Sequence, residues 1–323
     1  MLLHFVMNWN HQLLFLIVTM SFLILLYQTL LPKLFDHSVI KNSSLITKAT
    51  FLISTETENE KGSGNHSVPN VIHYIRLNKR SWSFVEYICL LSAYANQQPD
   101  YIFIHTNIIG GFRGKYWKWI QQKIDLNMRL IVLPVEIPSE IFGKKLNPIW
   151  KIHHGSDILR IKILMKYGGI YLDNDVYVVQ NLDKYRKFEM TLGWPKNESL
   201  GSMVLIANKN ARFLHLWLEN YQDYNASLWY FNAGDNPTHR ILLKMPQLVK
   251  REETRLGINF MMRELFQSKD YAWKVKLDTI HLLINHRRYL DMFFKDYRYF
   301  NEHNILHYPF IFAKMVKYVI ESV

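Results

Sequence analysis

From Gly155 to Val179 the chain reads GSDILRIKILMKYGGIYLDNDVYVV. A helix-forming run, a glycine pair, a short β-forming run and two aspartates one residue apart follow one another. This order limits what the chain can fold into more than any other stretch. Ser156 is suited to cap a helix over residues 157–167. Asp157 and Arg160 stand three apart and therefore share a helix face, where alone they would be an ordinary surface ion pair. Gly168 and Gly169 stop the helix, because glycine takes positive φ and lets backbones approach closely. Ile170-Tyr171-Leu172 and Val176-Tyr177-Val178-Val179 have strand character on either side of Asp173-Asn174-Asp175. Aspartate is depleted in strands, so a pair there needs a reason. Alternation would send both carboxylates to one side, where they repel unless a cation lies between them. Mg²⁺ or Mn²⁺ takes hard oxygen ligands, typically one or two carboxylates completed by substrate phosphates. Asp173 and Asp175 are thus expected to hold a divalent metal that neutralises a departing diphosphate.

The flanking pattern predicts an α/β fold. Val71–Ile75, Tyr101–His105, Arg129–Leu133 and Ser202–Ala207 read as strands. Helical patterns occupy residues 83–96, 114–126 and 211–221, the last with Phe213, Leu214, Trp217 and Leu218 on one stripe. Such alternation gives a parallel or mixed sheet covered on both faces. Asp235 is placed to cap a helix over residues 237–244, with Pro237 in its first turn. The net charge of +12 suits an anionic partner. No basic, aromatic-interleaved block accompanies it, so nucleic acid is not the expected partner. The lone cysteine, Cys89, rules out an intramolecular disulfide and reads as a buried small apolar residue.

Residues 13–31 are 19 residues without a charge, about 28 Å as a helix, and are expected to be a transmembrane signal anchor. Residues 1–12 would then be a cytoplasmic tail, the polar residues 32–68 a stem, and residues 69–323 the catalytic domain. Lys33, Lys41 and Lys48 follow the span and by the positive-inside rule would put the C-terminal side in the cytosol. Sequons at Asn42, Asn65, Asn197 and Asn225 point to the lumen, the orientation expected here.

Ser156-Asp157-x-x-Arg160 followed by Gly168-Gly169-Ile170-Tyr171-Leu172-Asp173-x-Asp175 resembles the DXD-containing sugar-binding region of glycosyltransferase family 32. That group includes α1,4-galactosyltransferases, α1,4-N-acetylglucosaminyltransferases and initiating α1,6-mannosyltransferases. The dense match runs from Gly155 to Leu182, with weaker similarity from Pro69 to about Leu243. The resemblance implies a GT-A fold, Mn²⁺, a nucleotide-sugar donor and retention of anomeric configuration. It further implies a glycan acceptor on a glycolipid or glycoprotein, and a single-pass type II protein of the Golgi membrane. It assigns Asp157 and Arg160 to the donor sugar and ribose, and Tyr171 to the donor pocket. Asp173 would contact ribose and, through water, the metal, which Asp175 would ligate directly. Related folds also bring a ligand from near the C-terminus, for which His307 is the candidate. Two departures stand out. Relatives often carry Ile-His-x-Ile-Trp where this chain has Ile72-His73-Tyr74-Ile75-Arg76, so the aromatic platform for the base is absent, or moved to Tyr74 or Trp82. The downstream Gly-Pro loop is matched only in part by Gly234-Asp235-Asn236-Pro237-Thr238.

The expected function is metal-dependent, retaining transfer of a hexose or N-acetylhexosamine from a nucleotide sugar, with a catalytically silent glycan- or partner-binding domain as the alternative. The remaining residues have plainer readings. His153-His154 are structural or surface residues, Trp117 and Trp119 pack the core, Arg287-Arg288 are solvated charge or else a diphosphate clamp, and residues 310–318 form a packed helix.

Overall fold

The structure, a computed structural model, describes residues 59, 62, 65–124, 129–258 and 261–323. The expected tail, the anchor span Leu13–Leu31 and the Asn42 sequon lie outside the described residues. Among the described residues no helix is long and apolar enough to cross a membrane. Packing begins before Pro69: Val68 is buried, Val68 N–H donates to the Arg186 carbonyl at 3.0 Å, and the buried Asn59 amide donates to the Leu248 carbonyl at 2.9 Å.

The strands are β1 (Val71–Arg76), β2 (Tyr101–Thr106), β3 (Leu130–Pro134), β4 (Glu140–Ile141), β5 (Lys144–Lys145), β6 (Gly169–Leu172), β7 (Val176–Val178), β8 (Met190–Gly193), β9 (Val204–Ala207), β10 (Lys250–Glu252) and β11 (Thr279–His281). Seven of them form the main sheet, in the order β10-β8-β9-β6-β1-β2-β3. β6, β1, β2 and β3 run parallel, whereas β9 is antiparallel to both β6 and β8. The expected mixed α/β sheet is therefore present. β1 is buried on both faces from Ile72 to Arg76, as parallel strands sandwiched between helices must be.

Three helices are α1 (Phe84–Gln97), α2 (Lys115–Lys123) and α3 (Lys151–Tyr167). α1 starts on a capping box, with Glu86 N–H donating to Ser83 Oγ at 3.2 Å and Ser83 N–H to Glu86 Oε2 at 2.8 Å. The other Glu86 oxygen pairs with the buried Arg76 at 2.9 Å, tying the helix start to the end of β1. The C-terminal helix Ile311–Glu321 buries Phe312, Met315, Val316 and Val319 in the same core.

Three local expectations are corrected. Ser156 does not cap a helix, because α3 begins four residues before Gly155 and runs through both residues. Gly155 serves close packing there, since a Cβ would stand 3.0 Å from Ile137 Cγ2. Asp235 is likewise inside a helical segment, Phe231–Asp235, and accepts from Ser199 Oγ at 2.6 Å instead of capping. The winding is wide on both sides of Pro237, which has no N–H to offer. The two aspartates sit in a turn, not in a continuous strand: Val176 N–H donates to the Asp173 carbonyl at 3.0 Å.

The glycine pair behaves as its sequence predicts, for reasons the structure makes specific. Gly168 and Gly169 have φ of 66° and 114°. A Cβ on Gly169 would lie 2.5 Å from the Val71 carbonyl and 2.8 Å from His73 Nε2. His73 in turn fastens the helix end: its Nε2 meets the Gly168 carbonyl at 2.7 Å, and its Nδ1 meets His105 Nε2 at 3.0 Å. A carbonyl only accepts, so His73 donates from Nε2, accepts at Nδ1, and His105 donates. His73 must be neutral for this chain to hold, because its Nδ1 has to accept. Burial lowers His73 to about 4 against the raising effect of the Gly168 carbonyl, and lowers His105 to about 3.

The sign of the pH effect follows. Below about pH 6.5 the unfolded chain takes up protons that the folded pair refuses, so stability is complete above that pH and is lost on acidification towards pH 4. Each ring should contribute a slope of about 1.4 kcal/mol per pH unit in that window. Denaturant midpoints measured from pH 7 to 4.5 should fall, and His105→Gln, which can still donate to His73, should remove about 1.4 kcal/mol per pH unit of that slope. An unchanged slope in the variant would contradict this account.

Candidate active site

The Asp173-Asn174-Asp175 turn is where the chain leaves the main sheet. β6 ends at Leu172, and β7 then pairs antiparallel with β11 in a separate two-stranded ribbon. The register sets His281 opposite Val176, and Leu282 N–H donates to the Asp175 carbonyl at 2.9 Å. This crossing brings the His281 ring to the site, with Nε2 3.1 Å from Asp175 Oδ1.

Asp157, Arg160, Tyr171, Asp173 and Asp175 all line one cavity of about 1510 Å³. Arg160 is its organising cation. Nη2 lies 2.9 Å from Asp157 Oδ1 and 3.5 Å from Asp173 Oδ1. Nη1 donates to the Ser202 carbonyl at 2.7 Å and to Ser202 Oγ at 2.9 Å. Its guanidinium also stands 4.7 Å from the Tyr171 ring centre, and the Tyr171 hydroxyl donates to Asp173 Oδ1 at 2.5 Å. Helix, strand and turn are thus tied through one cation, as Gly168-Gly169 folds α3 back beside β6.

The electrostatics divide the carboxylates. Burial pushes the Asp157 carboxyl up to about 6; Arg160 pulls the other way, and Asp173 adds to the rise. Burial also opposes ionisation of Asp175, but its hydrogen bond with His281, the charge of that ring and the Ile284 N–H prevail and hold it below the usual carboxylate range. His281 moves upwards: burial disfavours its cation, and the Asp175 carboxylate outweighs that.

The donor chemistry fits a hard divalent ion. Two carboxylates and an imidazole reach the same cavity, and the buried Asn174 Oδ1 between the aspartates lacks a hydrogen-bond partner. No group of three or more His, Cys, Asp or Glu side chains is already gathered at metal-holding distance among the described residues.

His307 is exposed and is not part of the cavity lining. His281 is the histidine that reaches the aspartates. Its one legible signal was a short β-forming stretch, Thr279-Ile280-His281, and nothing in it announces a partner more than a hundred residues away.

Of the two candidate base platforms, Tyr74 is buried away from the cavity, whereas Trp82 lines it. The Arg76 guanidinium lies 4.0 Å over the Trp82 ring, so this chain presents a cation stacked on an aromatic. Trp117 backs that stack from the core, its ring 6.0 Å from Trp82. Arg287 departs from the solvated reading: it is 1% exposed, paired with Asp291 at 2.7 Å, and 4.0 Å over the Phe300 ring. Arg288 is exposed.

Residues 85–192 match a family model described as glycosyltransferase sugar-binding region containing DXD motif. Among curated proteins, the glucan organizing enzyme 1 of Cryptococcus neoformans is 27% identical over 181 residues, covering 50% of this chain and 46% of that protein. Lactosylceramide 4-alpha-galactosyltransferase of Pongo pygmaeus is 35% identical over 129 residues, covering 39% of this chain and 57% of the relative. The human protein of the same name is 28% identical over 130 residues, covering 39% and 36%. The chain thus spans about half the length, or less, of the curated relatives it matches. The solved galactosyltransferase LgtC, in complex with donor and acceptor sugar analogues, is 13% identical with a TM-score of 0.41, covering 78% of this chain and 96% of the other. The family-32 resemblance read from the residues is borne out by the family-model match and the curated relatives, which support a transferase.

Proposed function

We propose that this chain, with its DXD-type sugar-binding region at residues 85–192, is a GT-A-type, metal-dependent, retaining glycosyltransferase. It moves a hexose or N-acetylhexosamine from a UDP-sugar to a glycan acceptor in the Golgi lumen. The observation that carries the reading is the junction of Asp157, Arg160, Tyr171 and Asp173 beside Asp175 and His281 on one cavity wall.

Asp173, Asp175 and His281 would hold manganese, or Mg²⁺ in its place. When bound, the ion supplies positive charge to the diphosphate as the sugar leaves. The remaining work falls to the protein. Arg160, locked by Ser202 and two carboxylates, is a fixed positive charge beside the donor and needs no rearrangement when the donor arrives. Asp157 accepts from a sugar hydroxyl beside it, and Tyr171 keeps the Asp173 carboxylate turned towards the cavity. Arg76 and Trp82 line the part of the cavity where the base would lie, with Arg76 covering the Trp82 ring.

The test is a nucleotide-sugar panel offered to the full-length chain in detergent, with and without Mn²⁺. Metal-dependent hydrolysis of at least one UDP-sugar is expected. Glycan binding that ignores chelator, with no hydrolysis of any donor, would replace this reading with a silent binding domain. The luminal placement rests on the uncharged span and the sequons, of which Asn197 sits exposed in a left-handed turn. Endoglycosidase should therefore lower the apparent mass of the cell-derived protein, and an Asn197→Gln form should shift less.

A further inference from the structure

Two turns before Arg160 the wall of the cavity changes character. His153 lies about 10 Å back along α3, given a helical rise of about 1.5 Å per residue. There it meets Trp229, ring centres 4.3 Å apart, and Trp150 stands 4.8 Å from the same indole. Trp229 lines the cavity yet is 46% exposed.

The exposure is not that of a loose loop. His154 Nε2 is 3.3 Å from the Trp229 carbonyl, and its Nδ1 is 2.6 Å from the Tyr224 hydroxyl. The Tyr230 hydroxyl donates to the Leu200 carbonyl. Gly234 lies so close beneath the Tyr230 ring that a Cβ there would come within 2.0 Å of it. Asn232 accepts from Asn225 N–H at 2.8 Å and donates to the Asn225 carbonyl at 2.7 Å. The backbone that carries Trp229 is therefore braced from both sides while the indole is held open.

Polar groups border this aromatic end. Glu198, Ser199 and Asp235 line the same cavity, and Ser199 Oγ donates to Asp235 Oδ1 at 2.6 Å. That leaves the second Asp235 oxygen and the exposed Glu198 carboxylate to accept hydrogen bonds. A flat apolar face edged by acceptors complements a pyranose, which presents axial C–H bonds on one face and hydroxyl donors around its rim.

We propose that Trp229, edged by His153, is the acceptor subsite, stacking the terminal pyranose of the glycan that receives the transferred sugar. The inference rests on the glycosyltransferase reading and assigns the outer end of the cavity, whereas Arg160, Asp173 and Asp175 hold the donor at the inner end. Asp235 and Glu198 accept from the acceptor's hydroxyls and so restrict which ring orientation fits.

The experiment compares full-length wild type, Trp229→Ala and Trp229→Phe. Two readouts are taken: donor hydrolysis with Mn²⁺ and no acceptor, and transfer to a panel of p-nitrophenyl glycosides. A third, saturation-transfer NMR of the same glycosides in EDTA, reports binding without metal or turnover. Trp229→Ala should raise the acceptor KM by roughly 10- to 100-fold, leave donor hydrolysis within twofold, and abolish saturation transfer. Trp229→Phe should restore part of each loss. An unchanged acceptor KM, or equal loss of donor hydrolysis, overturns the assignment, as does absence of saturation transfer from every glycoside with wild type. If wild type hydrolyses no donor, the enzymatic reading fails, yet glycoside saturation transfer lost in Trp229→Ala would still uphold the platform.

Discussion

Asp175→Asn should lower sugar transfer by about a thousandfold or more, the scale set by removing several kcal/mol of transition-state charge stabilisation. The substitution is isosteric, and the backbone bond from Leu282 N–H to the residue 175 carbonyl is untouched. The fold should therefore persist, so that lost activity can be read as lost chemistry. Asparagine keeps one oxygen but not the charge that holds His281 as its partner. Transfer measured over a Mn²⁺ titration, alongside a thermal melt, checks the expectation. Undiminished turnover at saturating metal in a folded variant would remove Asp175 from the mechanism.

Arg160→Met should unfold or severely weaken the domain, by about 3–5 kcal/mol, as expected when one partner of a buried ion pair is removed. Arg160 is 6% exposed and faces Asp157 and Asp173 at once. Without it, two carboxylates are left in a poorly solvated wall, and the Ser202 carbonyl loses its donor. Lysine is not an adequate substitute, because a single ammonium cannot serve both carboxylates and Ser202 with the geometry of a guanidinium fork. Adding Asp157→Asn should recover part of the stability, since it removes one of the stranded charges. Denaturant melts of the single and double variants decide the matter: additive losses would mean that the pair is not coupled.

Much of this site was legible because its parts are adjacent in the chain. Asp157 and Arg160 share a helix face by spacing alone, and Gly168-Gly169 announces a helix end whose backbone must pass close to another strand. Elsewhere tertiary packing outweighs a local signal. Ser156 carries a capping side chain, but contacts further up α3 extended the helix past it. Arg287 looked like surface charge until Asp291 and Phe300 enclosed it. Asp173 and Asp175 have the spacing of strand neighbours, whereas the turn between them is what lets β7 leave the main sheet for β11.

The sequence alone therefore determined the alternating α/β order, the nearness of Asp157, Arg160, Tyr171, Asp173 and Asp175 and the need for glycine at the turn, because these depend on periodicity and close spacing. Only the tertiary structure decided that His281, not His307, meets the aspartates, that Arg76 stacks on Trp82, and that Trp229 stays open at the far end of the cavity. Those placements depend on pairings between distant segments, whose register is set by the packing of the whole core and leaves little trace in either segment by itself.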